Sequence, residues 1–143
     1  MTATQGEPTK FLNVDLDVRA GAPLEWLVRY FARRKVYCLS HAFSEGTWFA
    51  VFETSQTFAT ADETTASILA QIEAMKPPTR AKWNECNKVF NVGYDVGMHP
   101  WAFTQELSPQ TVSRIAQVGG GLCWTFYPTR DQPPVRAPDP DQF

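Results

Sequence analysis

Asn13, Asp15 and Asp17 occupy alternate positions of Phe11-Leu12-Asn13-Val14-Asp15-Leu16-Asp17-Val18, and Asn91 and Asp95 recur in Val89-Phe90-Asn91-Val92-Gly93-Tyr94-Asp95-Val96. Strand side chains alternate between faces. The polar residues of each stretch therefore share one side, opposite Leu12, Val14, Leu16 and Val18 in the first and Phe90, Val92, Tyr94 and Val96 in the second. Carboxylates and amides gathered this way can hold a hard cation through oxygen, or repel one another until one carboxyl keeps its proton and acts as a general acid. The wet face of an antiparallel sheet carries the same residue types for ordinary reasons. No His or Lys accompanies the acids at a recognisable spacing. No residue is therefore assigned a catalytic role, and the five are candidates for contact with a partner.

Trp26, Tyr30 and Arg33 follow one another at steps of four and three, with Arg29 nearby. Aromatic and Arg side chains are enriched at interface centres, and the same row can equally wrap the edge of a core with an Arg stem over the rings. His99 and Trp101 flank Pro100 in a turn. Loops carry function and His titrates near neutral pH, so both are loop candidates, although no nucleophile signature accompanies them. His41 is expected to pack against its own hairpin. Cys38 and His41 make a C-x-x-H whose side chains leave opposite faces of one strand, which is wrong for sharing a metal. Cys38, Cys86 and Cys123 are odd in number and contain no C-x-x-C, so small core residues are expected rather than disulfides. Gly119-Gly120-Gly121 leaves a helix instead of entering one, and reads as a stop rather than a phosphate loop. No metal and no cofactor is expected.

Apolar residues make up 43% of the 143 positions, enough to fill one core and too few residues for two domains. The formal net charge of -2 lacks the footprint of a nucleic-acid binder. No apolar run reaches the ~18 residues of a membrane span, and the first ten residues have no signal-peptide centre. A cytoplasmic setting follows as the expectation.

The elements that must position these residues follow from periodicity. After a flexible lead of residues 1–10, a strand covers Phe11 to Arg19. Leu24, Leu27, Val28 and Phe31 then form a helical stripe after Pro23. Val36 to Phe43 and Thr47 to Thr54 form a hairpin about Ser44-Glu45-Gly46. Thr60-Ala61-Asp62-Glu63 is a capping box opening a helix with Ile68, Leu69, Ile72 and Met75 inside, ended by Pro77-Pro78. A short helical piece around Trp83 leads to the strand Val89 to Val96. Alternation of Trp101, Phe103, Gln105 and Leu107 predicts a returning strand. Ser108-Pro109 starts a last helix, and Leu122 to Tyr127 is the last strand. Residues 129–143 form a flexible Pro-rich tail.

The order is β-α-β-β-α-β-β-α-β. It predicts an α+β domain over residues 11–128, a mostly antiparallel sheet with helices packed on one face and a ferredoxin-like first unit.

Val89-Phe90-Asn91-Val92-Gly93-Tyr94, Phe103-Thr104-Gln105-Glu106-Leu107-Ser108-Pro109-Gln110-Thr111 and Ile115-Ala116-Gln117-Val118-Gly119 cover about a third of the chain. There it resembles the DUF4279-like family of bacterial proteins of unknown function. The resemblance implies a small intracellular α+β domain and supplies no catalytic residue. The functional expectation is a non-enzymatic protein-binding module, one form of which is a toxin-neutralising immunity-type protein, with a protein partner or a second copy as a homodimer. The alternative is a small-molecule binder or hydrolase-type enzyme using the acids of the sheet face.

Overall fold

The computed structural model describes residues 7–99 and 101–128; the expectations for residues 1–6 and for the tail from residue 129 lie outside them. In chain order the elements are β1 (Lys10–Ala20), α1 (Glu25–Ala32), β2 (Val36–Ser44), β3 (Thr47–Thr54), α2 (Ala61–Glu73), α3 (Pro77–Asn84), β4 (Asn87–Val96), α4 (Pro109–Gln117) and β5 (Gly120–Pro128). The sheet runs β2-β3-β1-β4-β5. Its first four strands pair antiparallel, as in the ferredoxin-like unit, and β5 joins parallel to β4. The connection through α4 makes that last pairing parallel, because a crossover helix returns the chain to the end at which it began.

β1 lies at the centre because its Val14, Leu16 and Val18 are all fully buried. They meet Phe52 of β3, Phe90 and Val92 of β4, Leu27 and Phe31 of α1, and Ile68, Leu69 and Ile72 of α2 in one hydrophobic cluster. All the helices cover this one face. Both expected side-chain caps form: Thr60 Oγ1 accepts from the Glu63 amide at 3.1 Å, and Ser108 Oγ accepts from the Thr111 amide at 3.1 Å. Gly119, at φ 74°, releases α4 through the left-handed conformation that glycine adopts without strain.

Four expectations change. Trp101 to Leu107 forms no strand. β4 already has β1 on one side and β5 on the other, so no edge remains for it; the segment instead crosses the helix side of the sheet, laying Phe103 and Gln105 against Tyr94. Pro77-Pro78 opens α3 as well as following α2, since the first helical position needs no amide hydrogen. The β2–β3 turn is the two-residue Glu45-Gly46, both with positive φ (52° and 79°), which matches the twist of its strands. A register shift between Phe11 and Asn13 turns Leu12 out, 40% exposed, and Phe11 in against Tyr94. The lead-in is held from Glu7 onward: the Met98 amide donates to the Glu7 carbonyl and the Thr9 amide to the His99 carbonyl.

Thr65 of α2 is fully buried and its hydroxyl has no hydrogen-bond partner. Exchange for the isosteric Val removes an unpaired polar group, so Thr65→Val is expected to raise stability by about 1 kcal/mol in urea denaturation. A loss of stability would show that the hydroxyl is satisfied.

Candidate functional site

With the helices gathered on one side, no described element covers the other face of the sheet, and the predicted polar residues meet there. Register sets Asp15 opposite Asn91, Asn91 beside Cys123, and Tyr37 opposite Glu53. Leu16 pairs with Phe52, which places Glu53 beside Asp15 on the adjoining strand. A polar row therefore crosses all five strands. The Tyr37 hydroxyl donates to Glu53 Oε1 at 2.8 Å, and at the other end the Thr125 hydroxyl donates to Asn91 Oδ1 at 2.8 Å. Asn91 in turn hydrogen-bonds Asp17.

At the centre the row lacks a donor. Asp15 Oδ1 is buried without a hydrogen-bond partner, and the neighbouring Glu53 carboxylate can only accept. The two carboxyls form a hydrogen bond when one of them carries a proton. Burial, then the Glu53 charge and the hydrogen bond to Glu53, and last the Asp17 charge, push the Asp15 carboxyl up to about 7. Asp17 is raised by burial, against the opposing pull of Asn91 and Arg19. A carboxyl that keeps its proton to near neutral pH beside a second carboxyl is chemically competent for acid–base work. A depression of about 320 Å³ on this face is lined by Asp17, Arg19, Phe49, Val51, Asn87 and Val89, so it reaches Asp17 but not the pair.

The other candidates scatter. Asn13 shares the open face at the level of Gly93. Asp95 lies at the far end of β4 opposite Lys10, four residues or ~13 Å from Asn91, and does not join Asp15. Trp26, Tyr30 and Arg33 do converge, on the helix side, in one groove with Arg29. The His99 backbone anchors the lead-in at Thr9 and Pro8. His41 packs against Trp48 of its hairpin at a tilted ring contact, and its Nε2 accepts from the Leu24 amide before α1. Of the cysteines only Cys86 is buried; Cys38 is half-buried and Cys123 exposed, which corrects the expectation of three core thiols. Among the described residues no group of three His, Cys, Asp or Glu is placed to hold a metal ion, and no helix is long and apolar enough to cross a membrane.

Trp101 belongs to a feature that alternation alone does not reveal. Leu122, Trp124 and Phe126 of β5 point to the helix side, but α4 is too short to cover them. Its 9 residues rise ~14 Å, against ~30 Å for the 9 residues of the strand. Beyond its end lies a cleft of about 550 Å³ lined by Tyr94, Met98, Trp101, Phe103, Trp124 and Phe126. Tyr94 stacks on Phe126 with ring centres 5.8 Å apart, and Phe103 meets Tyr94 edge-on at 5.8 Å. Trp101 is 99%, Met98 69% and Phe126 63% exposed.

No family model, curated protein or solved structure matches this chain.

Proposed function

We infer that this protein is a cytoplasmic protein-binding module whose partner docks on the aromatic cleft at the end of β4 and β5. The observation that carries this reading is the exposure of Met98, Trp101, Trp124 and Phe126 together around one concavity. Contiguous apolar surface of this kind marks interaction sites, and large aromatic side chains supply most of the energy of interface centres. The cleft walls are braced by ring contacts to Tyr94, so less order has to be imposed on binding. Neutralisation of a toxin by occlusion is the specific form proposed.

The test is affinity capture from native lysate with wild-type protein and with Trp124→Ser/Phe126→Ser as bait. A stoichiometric partner should lose at least about tenfold of its recovery with the double variant, the cost of removing two anchor residues, and should be retained by Asp15→Asn. Identical capture by all three baits would refute the cleft as the docking site.

A second reading, acid–base chemistry on the open face, draws support from the Asp15 carboxyl, which burial and the neighbouring Glu53 push up to about 7. It requires a turnover that Asp15→Asn abolishes and the cleft variant leaves intact.

A further inference from the structure

Across the helix layer from the cleft, α1 faces the junction of α2 and α3 over a groove of about 580 Å³. Arg29, Arg33 and Arg34 stand on one wall and Lys76 and Lys82 on the other, with the Trp26 and Tyr30 rings between them. No carboxylate lines the groove. Among the described residues none of these five cations enters a salt bridge; the ion pair present joins Arg114 and Glu73 elsewhere. Five of the 13 basic residues of a chain with net charge -2 therefore converge on one concavity.

Two of the charges are held in place without being neutralised. The Arg34 guanidinium lies 3.8 Å from the Tyr30 ring centre and donates to the Tyr30 carbonyl at 3.0 Å. The Tyr30 hydroxyl is tied in turn to the Gln71 carbonyl of α2. The Lys82 ammonium sits 5.7 Å from the Trp26 ring centre. Cation–π contacts of this kind fix a cation and leave its donors and its charge available.

We propose that the groove binds a compact oligophosphate, the phosphate chain of either a free polyphosphate ion or a nucleotide. Guanidinium forks match phosphate oxygens two at a time, and ammonium groups act on them as point charges. The volume suits a ligand of that size. A compact anion with several charges can touch both walls at once, whereas a flat protein surface stops at the rim. A long nucleic acid needs an extended basic track, and the acidic face on the far side of the sheet opposes one. The site is separate from the aromatic cleft, so the inference stands or falls independently of the proposed partner.

Isothermal titration with tripolyphosphate, ATP and orthophosphate in about 20 mM salt, repeated at about 200 mM, tests this. Tripolyphosphate should bind at least about tenfold more tightly than orthophosphate, and weaken at least about tenfold at the higher salt. Equal affinity for ATP assigns recognition to the phosphate chain alone, and tighter ATP binding adds the nucleoside; both support the site. Arg29→Gln/Arg33→Gln should weaken binding at least about tenfold. Arg19→Gln on the opposite face, a control that also removes positive charge, should leave it unchanged. If the double variant does not fold by circular dichroism, Lys76→Gln in the exposed junction replaces it, with about a threefold loss expected. The proposal is overturned if neither tripolyphosphate nor ATP binds, or if Arg19→Gln costs as much as the groove variant. Binding of polyglutamate or single-stranded DNA that tripolyphosphate does not displace overturns it too.

Discussion

Trp83→Ala is expected to cost about 3–5 kcal/mol, the range for emptying a buried aromatic site. Trp83 is fully buried although α3, the element that carries it, is a single short helix. Its Nε1 donates to the Val118 carbonyl at 2.9 Å, tying α3 to the end of α4. Its own carbonyl accepts from Lys88 Nζ at 3.1 Å, and the same ammonium lies 5.0 Å from its ring centre. Truncation therefore opens a large cavity, leaves the Val118 carbonyl unpaired and strips the buried Lys88 of its aromatic neighbour. Against the about 5–15 kcal/mol of a typical domain, such a loss leaves little. Urea denaturation should show a lower midpoint, with a slope unchanged if the denatured ensemble is unaffected. Trp83→Phe keeps most of the apolar volume and loses the indole donor, so about 1–2 kcal/mol is expected. A cost below about 1 kcal/mol for the alanine variant would show that α3 is not an anchor.

The second large effect depends on pH. Asp15 holds its proton to about 7 in the folded chain, against 3.8 for the unperturbed carboxyl. Between those values the folded state binds a proton that the unfolded state has released, so this group's contribution to stability declines as pH rises from 4 to 7. Above pH 7 the full penalty of two adjacent charges applies. A displacement of this size corresponds to at most about 4 kcal/mol. Water on the open face screens more than half of it, leaving about 1–2 kcal/mol. Asp15→Asn carries no charge at any pH, and is expected to be more stable than wild type by that amount at pH 8 and nearly equal to it at pH 4. The difference between the two proteins is the quantity to measure. Asp62 and Glu73, held low by their hydrogen bonds to Ser108 and Arg114, work in the opposite direction and cancel in that comparison. A constant difference from pH 4 to pH 8 would show that Asp15 is not held protonated in the folded state.

Sequence periodicity locates β1 and β4 and the faces of their polar residues, because a half-buried strand records its orientation in strict alternation. Alternation puts Asn91 and Asp15 each on the polar face of its own strand, and the β1–β4 register makes them neighbours. Glu53 stands in the alternation of β3 opposite Phe52, but its partner is fixed by the β3–β1 register, which no local pattern encodes. Leu12 was placed on the wrong face because one bulge reverses the alternation beyond it. The aromatic cleft stays hidden for a different reason: the sequence places a strand at Leu122 to Tyr127, but the cleft follows only from the lengths of α4 and β5 set side by side. The segment from Trp101 to Leu107 alternates like a strand and is kept from being one by the occupied edge of β4. Local pattern gives orientation; neighbours, register and coverage belong to the assembled sheet.

The Glu53, Asp15 and Asp17 carboxyls lie on one side of the sheet and the Arg29–Arg33–Arg34 wall on the other, so opposite charge is separated across the described part of the molecule, although the chain's net charge is only -2. A body of this kind feels a torque in an external field as well as the pull on its net charge. At low ionic strength it approaches a charged surface with one side turned forward, and reversing the sign of that surface reverses the side that arrives first. Salt removes the preference once the screening length, ~8 Å at physiological strength, falls below the thickness of the domain. The molecule's first encounters are thus selected by orientation as well as by overall attraction.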